Sequence, residues 1–230
     1  MPLLALDTSA DIAVAVVDDA GTVLAERRVA EQRRHAELLA PLVVEALAAA
    51  DVDRRALTGV VAGTGPAPFT GLRAGLVTAR SLAFALGVPV HGVCSLDALA
   101  VQAYAAGAPA DAEVVVVTDA RRREVYTARY RLGADDVDVV DPPAVMRPED
   151  LTPRDGTPPA VVVGPGLRVH ADRLALTPPD GAPVVDAVDA GVLARLAVVR
   201  LGQGRSLPTE PLYLRRPDVM PAAARKRATG

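Results

Sequence analysis

Residues 3–29 read LLALDTSADIAVAVVDDAGTVLAERRV, and the order of elements in this stretch decides the fold class. Leu3 to Asp7 is a short apolar run that ends on a carboxylate. Ile12 to Val17 is a second run. Asp18-Asp19-Ala20-Gly21 then supplies turn chemistry with glycine at its end, before a third run from Val23 to Val29. Three strands joined by tight turns therefore open the chain.

Working outward, a long helical pattern covers 34–50, a strand 58–62, a helix 71–86, a strand 88–93, and a helix 95–106 capped by Ser95. The first half is βββαβαβα. The second half repeats this order more weakly, with strands over 113–118, 124–131 and 137–140, a short helical piece near Pro148, and a strand over 160–163. A helical segment after Gly166, a strand over 183–185 and a helix over 187–201 complete it. A duplicated unit of this order, with right-handed helical crossovers, predicts an α/β protein of two similar lobes with a cleft between them. The lobes are expected at 1–107 and 108–215, and 216–230 is expected to be a disordered tail.

Composition narrows the function. The chain has 230 residues, 50% hydrophobic and 23% charged, which excludes disordered and fibrous classes. Its net charge of −3 gives no global attraction to nucleic-acid phosphate, so any RNA role needs a local basic patch. The single Cys94 can form neither an internal disulfide nor a cysteine metal cluster, which fits a reducing, cytoplasmic setting. The start of the chain lacks a basic, cleavable leader pattern, and no run reaches 18 uncharged apolar residues, so no membrane association is expected. The only lysine, Lys226, falls in the expected tail, which argues against lysine chemistry.

Several stretches form a set in order along the chain: Leu4 to Ser9, Arg34-His35-Ala36-Glu37-Leu38-Leu39-Ala40-Pro41-Leu42, Gly63 to Arg73, Asp119-Ala120-Arg121-Arg122-Arg123-Glu124-Val125-Tyr126, and Pro211-Leu212-Tyr213-Leu214-Arg215. In these residues, and in order over nearly the whole chain, the sequence resembles the TsaB family of tRNA threonylcarbamoyladenosine biosynthesis proteins. The resemblance implies a two-lobed fold of the actin, hexokinase and Hsp70 type, related to ribonuclease H. It also implies a non-catalytic subunit that pairs with the related catalytic protein TsaD and works with the ATPase TsaE. Together they place threonylcarbamoyl on N6 of adenosine 37 in tRNAs reading ANN codons, with tRNA engaged only through the complex. Ala67 and Pro68 depart from the family's usual Gly-Ser.

Asp7-Thr8-Ser9 follows the first strand, where this fold type places an acidic residue facing a nucleotide's metal. Two readings compete: a weak or vestigial nucleotide site, or hydroxyls and a carboxylate satisfying a turn, and the second is favoured. The glycine-rich stretch before the second helix resembles a phosphate cradle, but no Gly-Lys-Ser/Thr follows and Pro66 and Pro68 remove two N–H donors. In the second lobe, Arg121, Arg122 and Arg123 stand where a kinase would need glycine. They are candidates for a phosphate or RNA contact, or for ordinary pairing with acidic neighbours. His35, His91 and His170 form no ligand pattern. The catalytic relative's two metal histidines fall at Ser95 and Leu99, so no metal, cofactor or catalytic residue is expected.

The helices over 34–50 and 71–86 are apolar around most of their circumference, more than one sheet face needs. Another helix of the same chain or a partner would cover the surplus. The resemblance implies the partner, because these family members pair through a four-helix bundle. The candidate interface is His35, Leu38, Leu39, Leu42, Val43 and Ala46 on the first helix, with Arg73, Leu76, Ala79, Arg80 and Ala83 on the second. A homodimer in isolation is the corresponding expectation without TsaD.

Overall fold

The computed structural model describes residues 1–31, 34–154, 156, 159 and 161–215, so the expected tail at 216–230 lies outside the described residues. The three opening strands form as read: β1 (Leu3–Asp7), β2 (Ile12–Val17) and β3 (Val23–Val29). They are followed by α1 (His35–Ala49), β4 (Gly59–Gly63), α2 (Phe69–Leu86), β5 (Val90–Val93) and α3 (Ser95–Ala105). The second half supplies β6 (Glu113–Asp119), β7 (Val125–Leu132), β8 (Val137–Met146), β9 (Val161–Val163), the single turn α4 (Gly166–Val169) and α5 (Ala190–Gly202). The first sheet has the order β3-β2-β1-β4-β5 and the second β8-β7-β6-β9. In each, three antiparallel strands are followed by one parallel to the first, which establishes the duplicated α/β architecture of the actin-like, ribonuclease H-like class.

Period-two alternation divides the first sheet's side chains between its faces. Leu4, Leu6, Ile12, Val14 and Val16 meet Leu39, Leu42, Leu72 and Leu76 of α1 and α2. The opposite face carries Ala5, Ala13, Ala15, Val17 and Val61, and small residues there let a helix lie close. That helix is α5, from the far end of the chain. In turn, α3 packs on β6 and β7 of the second sheet, against Val114, Val116, Ala128 and Tyr130. Each half of the chain thus lends a helix to the other half's sheet, and one core runs between the two sheets.

A buried charge cluster pins this middle layer. Arg200 of α5 donates to Asp97 Oδ2 at 2.8 Å and to Asp136 Oδ1 at 2.6 Å, while Tyr130 donates to Asp97 Oδ1 at 2.8 Å. Burial opposes the charge on Arg200, but Asp136 and Asp97 outweigh it and raise its pKa. Asp136 is likewise held below the ordinary carboxylate range, the Arg200 bond overcoming burial.

Four expectations are corrected. Residues 183–185 form no strand: Val185 lends its carbonyl to Gly164 N–H at 2.9 Å, but Pro183 has no N–H to give, and the second sheet ends at β9. Strand β8 runs to Met146, well past 140, because Pro142 and Pro143 are tolerated on an edge strand whose pairing with β7 shifts register. Ser95 is not a cap; Cys94 holds that position without a side-chain bond, and Ser95 opens α3 with its hydroxyl turned elsewhere. Helix α5 starts at Ala190, three residues later than read, because Asp189 caps it by accepting from Val192 N–H at 2.9 Å.

Candidate functional site

The two sheets enclose a cleft of about 500 Å³, bordered by Thr8, Ser9 and Gly71 on one side and Thr118, Asp119 and Arg168 on the other. Thr8 and Ser9 line this cleft. Asp7 does not: it is 2% exposed and fully engaged. Ser9 donates to its Oδ1 through both N–H, at 2.8 Å, and Oγ, at 2.6 Å, and Ser95 Oγ donates to Oδ2 at 2.5 Å. Burial raises the pKa of Asp7, with these hydrogen bonds opposing the rise. A Cβ at Gly63 would collide with Asp7 Oδ2, so the close approach of β4 requires glycine there. This carboxylate satisfies a turn and a helix start.

The glycine-rich loop is also spent internally. Thr64 N–H donates to Val93 C=O at 2.8 Å and Gly65 N–H to Ser95 Oγ at 3.2 Å, while Pro66 and Pro68 offer none. Thr8 Oγ1 donates to Gly71 C=O at 2.8 Å, closing the first turn of α2. Across the cleft, Asp119 Oδ1 accepts from Arg121 N–H at 2.8 Å and lies 3.1 Å from His170 Nε2. Among the described residues no three His, Cys, Asp or Glu side chains could hold a metal ion together. Ser95 and Leu99 are both buried.

The candidate interface residues separate sharply. Leu39, Leu42, Val43 and Ala46 of α1, and Leu76, Ala79 and Ala83 of α2, face the first sheet and belong to the chain's own core. They are corrected from interface to core: a helix lying on a sheet spends its largest apolar stripe there. Leu38 is half-buried against the same core. His35 is buried, its Nε2 3.0 Å from Ala10 C=O. Arg73 and Arg80 are exposed but hold the chain's own C-terminal segment: Arg80 Nη2 donates to Thr209 C=O at 2.7 Å and Arg73 Nε to Tyr213 Oη at 2.9 Å. The outward apolar residues are Val44, 66% exposed, Val77, 61%, and Phe84, 90%. Val77 and Phe84 are seven residues apart and share one stripe of α2.

That C-terminal strap is what sequence reasoning missed. Leu207 accepts from Gly92 N–H at 2.9 Å, Leu212 N–H donates to Thr64 C=O at 2.9 Å, and Arg215 Nη1 donates to Ala120 C=O at 2.9 Å, so 207–215 joins the two lobes. The signal was Pro211 to Arg215, quoted for its likeness but given no place.

Comparison with known proteins agrees with this architecture. The family model described as TsaD, tRNA N6-adenosine threonylcarbamoyltransferase, matches residues 22–161. An uncharacterized protein of Mycobacterium tuberculosis is 43% identical over 201 residues, covering 87% of this chain and 84% of its own. The tRNA threonylcarbamoyladenosine biosynthesis protein TsaB of Escherichia coli is 27% identical over 224 residues, 94% of this chain and 95% of that one. The solved structure of YeaZ from Pseudomonas aeruginosa superposes with a TM-score of 0.78 at 30% identity, over 93% of this chain and 99% of that one. With a family match over residues 22–161, identity across most of the chain and a close superposition in agreement, the chain belongs to the tRNA N6-adenosine threonylcarbamoyltransferase family, as a TsaB-like member.

Proposed function

We propose that this chain serves the biosynthesis of threonylcarbamoyladenosine in tRNA as a non-catalytic dimerisation and activating subunit, pairing with the catalytic subunit TsaD and working with the ATPase TsaE. The observation that carries the reading is the outward face of α1 and α2. Val44, Val77 and Phe84 leave large apolar groups in water on the helix pair that, in this reading, meets the partner's pair. The internal use of Asp7 and of the Thr64 and Gly65 N–H groups supports the non-catalytic role, since phosphoryl transfer needs such groups turned toward a nucleotide. The lobes divide at 1–107 and 108–215, the setting is cytoplasmic, and the same helix face forms a homodimer when the catalytic partner is absent.

The test is size measurement of the chain alone and mixed with TsaD, alongside reconstituted tRNA modification. Phe84→Glu removes the most exposed apolar ring from the face and should weaken the pairing tenfold or more, since burying one such side chain is worth about 1.5 to 3 kcal/mol. Its thermal unfolding should match wild type. Leu76→Glu, which places a charge in the core, should instead unfold the chain. A Phe84→Glu chain that pairs and supports modification like wild type sinks the interface. ATP turnover by the chain alone, abolished by Asp7→Ala, would mark it as an enzyme.

A further inference from the structure

The turn between β6 and β7 holds Arg121, Arg122 and Arg123 at φ of 62°, 52° and 64°. Residues other than glycine enter this left-handed region singly and rarely in a run. Here three arginines occupy it in succession, on the rim of two adjoining cavities.

The first cavity, of about 370 Å³, is lined by Phe69, Tyr126 and Tyr213 together with Arg121, Arg122 and Arg215. The chain has only four Tyr and two Phe, so half of its aromatic residues meet at this one place. Their platform is braced: the Phe69 and Tyr213 rings lie 5.0 Å apart, and the Arg73 guanidinium sits 3.4 Å above Phe69. Tyr126 donates to Ala67 C=O at 3.4 Å, and Tyr213 is 41% exposed. Arg122 also lines the second cavity, of about 720 Å³, with Arg123, Arg147 and Arg173. Its carboxylates are Glu124, which pairs with Arg215, Asp172, 3.7 Å from Arg173, and Glu149. Together the cavities present six arginines to three carboxylates, with a fourth carboxylate, Asp119, 3.1 Å from Arg121, which still leaves a cationic surface on a chain whose net charge is −3.

We propose that the two joined cavities bind single-stranded RNA. An unpaired base enters the aromatic cavity and stacks on Tyr213, while the neighbouring phosphates run along Arg122, Arg123, Arg147 and Arg173. Aromatic faces take any base, and arginines track the backbone, which is the usual chemistry of single-strand recognition. A free mononucleotide would fill the aromatic cavity and leave the larger basic one empty, so the paired arrangement fits a polymer. The site belongs to this chain alone and stands whether or not the subunit role does.

The experiment is fluorescence anisotropy of a fluorescein-labelled, unstructured 12-nucleotide RNA titrated with the full chain at rising salt. Saturable binding is expected, with log affinity falling linearly against log salt. Arg122→Glu with Arg123→Glu should weaken it at least about tenfold, because like charge then faces the phosphates. Tyr213→Leu should weaken it about fivefold or more, the low end for one stacked base. Tyr213→Phe, which keeps the ring, should stay within about twofold of wild type, separating stacking from damage to the strap. Arg54→Glu with Arg55→Glu changes the same charge at a remote exposed turn and should also stay within about twofold. Circular dichroism melts check that each variant is folded. The proposal fails if wild type does not bind, if the remote pair matters as much as Arg122 and Arg123, or if Tyr213→Leu binds like wild type. Equal displacement by heparin or by AMP at matched phosphate concentration also overturns it.

Discussion

At the scale of single residues, Asp7 shows how the kind of role a residue plays can be read locally while its partner cannot. Its place after β1 was legible, and so was the competing turn reading. Its partner was not, because Ser95 lies 88 positions away and meets it only once β4 and α3 are in place. Ser95 looked like a helix cap because serine before an apolar helical run usually is one, and the long-range bond to a buried carboxylate prevailed. The buried carboxylate also has a pH signature. Its native pKa is raised above the ordinary 3.8, so the folded state binds more protons than the unfolded one between these values. Wild-type stability therefore carries a contribution that declines as pH rises from 3.8 through the native value. Asp7→Asn lacks it, so the variant should gain on wild type across that window. Denaturant titrations at a series of pH values read the difference, and two parallel curves would count against a buried, ionising Asp7.

At the scale of elements, strands and long helices were legible because apolar runs and turn residues are local signals. What could not be read was which helical stripe meets the sheet when almost every side of the helix is apolar. Leu76 and Phe84 look alike in such a pattern, yet one is core and the other is in water. The elements' anchoring was equally hidden, since Arg200, Asp97 and Asp136 are far apart in sequence and ordinary in isolation. Arg200→Ala leaves two carboxylates without their shared cation in the layer between the sheets. It should destabilise the chain by about 3 to 5 kcal/mol, the range for breaking a buried ion pair. Equilibrium urea unfolding measures this, and a loss below about 1 kcal/mol would mean that the cluster behaves like a surface pair. The lowered pKa of Asp136 gives the cluster's contribution its acid limit: it is present above 3.8 and lost as pH falls through the native value.

At the scale of the whole molecule, the duplication was readable from element order, but the exchange of helices was not. Nothing local in 190–202 says that it belongs on β1 and β2 and not on the nearer sheet. The physical reason lies in volume: the alanines of β1 and β2 leave room for a closely packed helix, and α5 fills it with Leu193, Leu196 and Ala197. A fragment of residues 1–107 should therefore not fold alone, since one face of its sheet stays bare, and should gain structure when residues 108–230 are added. Far-ultraviolet circular dichroism of the fragments, separate and mixed, reads this; a cooperatively folded 1–107 fragment would contradict it. The same exchange bears on how the chain is made. The first sheet is fully synthesised at Val93, but its covering helix ends at Gly202, about 110 residues later, or roughly 5 to 20 s at ordinary ribosomal speeds. Throughout that interval the emerging nascent chain holds Ala5, Ala13, Ala15, Val17 and Val61 uncovered, a window in which a ribosome-associated chaperone has an apolar strand face to shield.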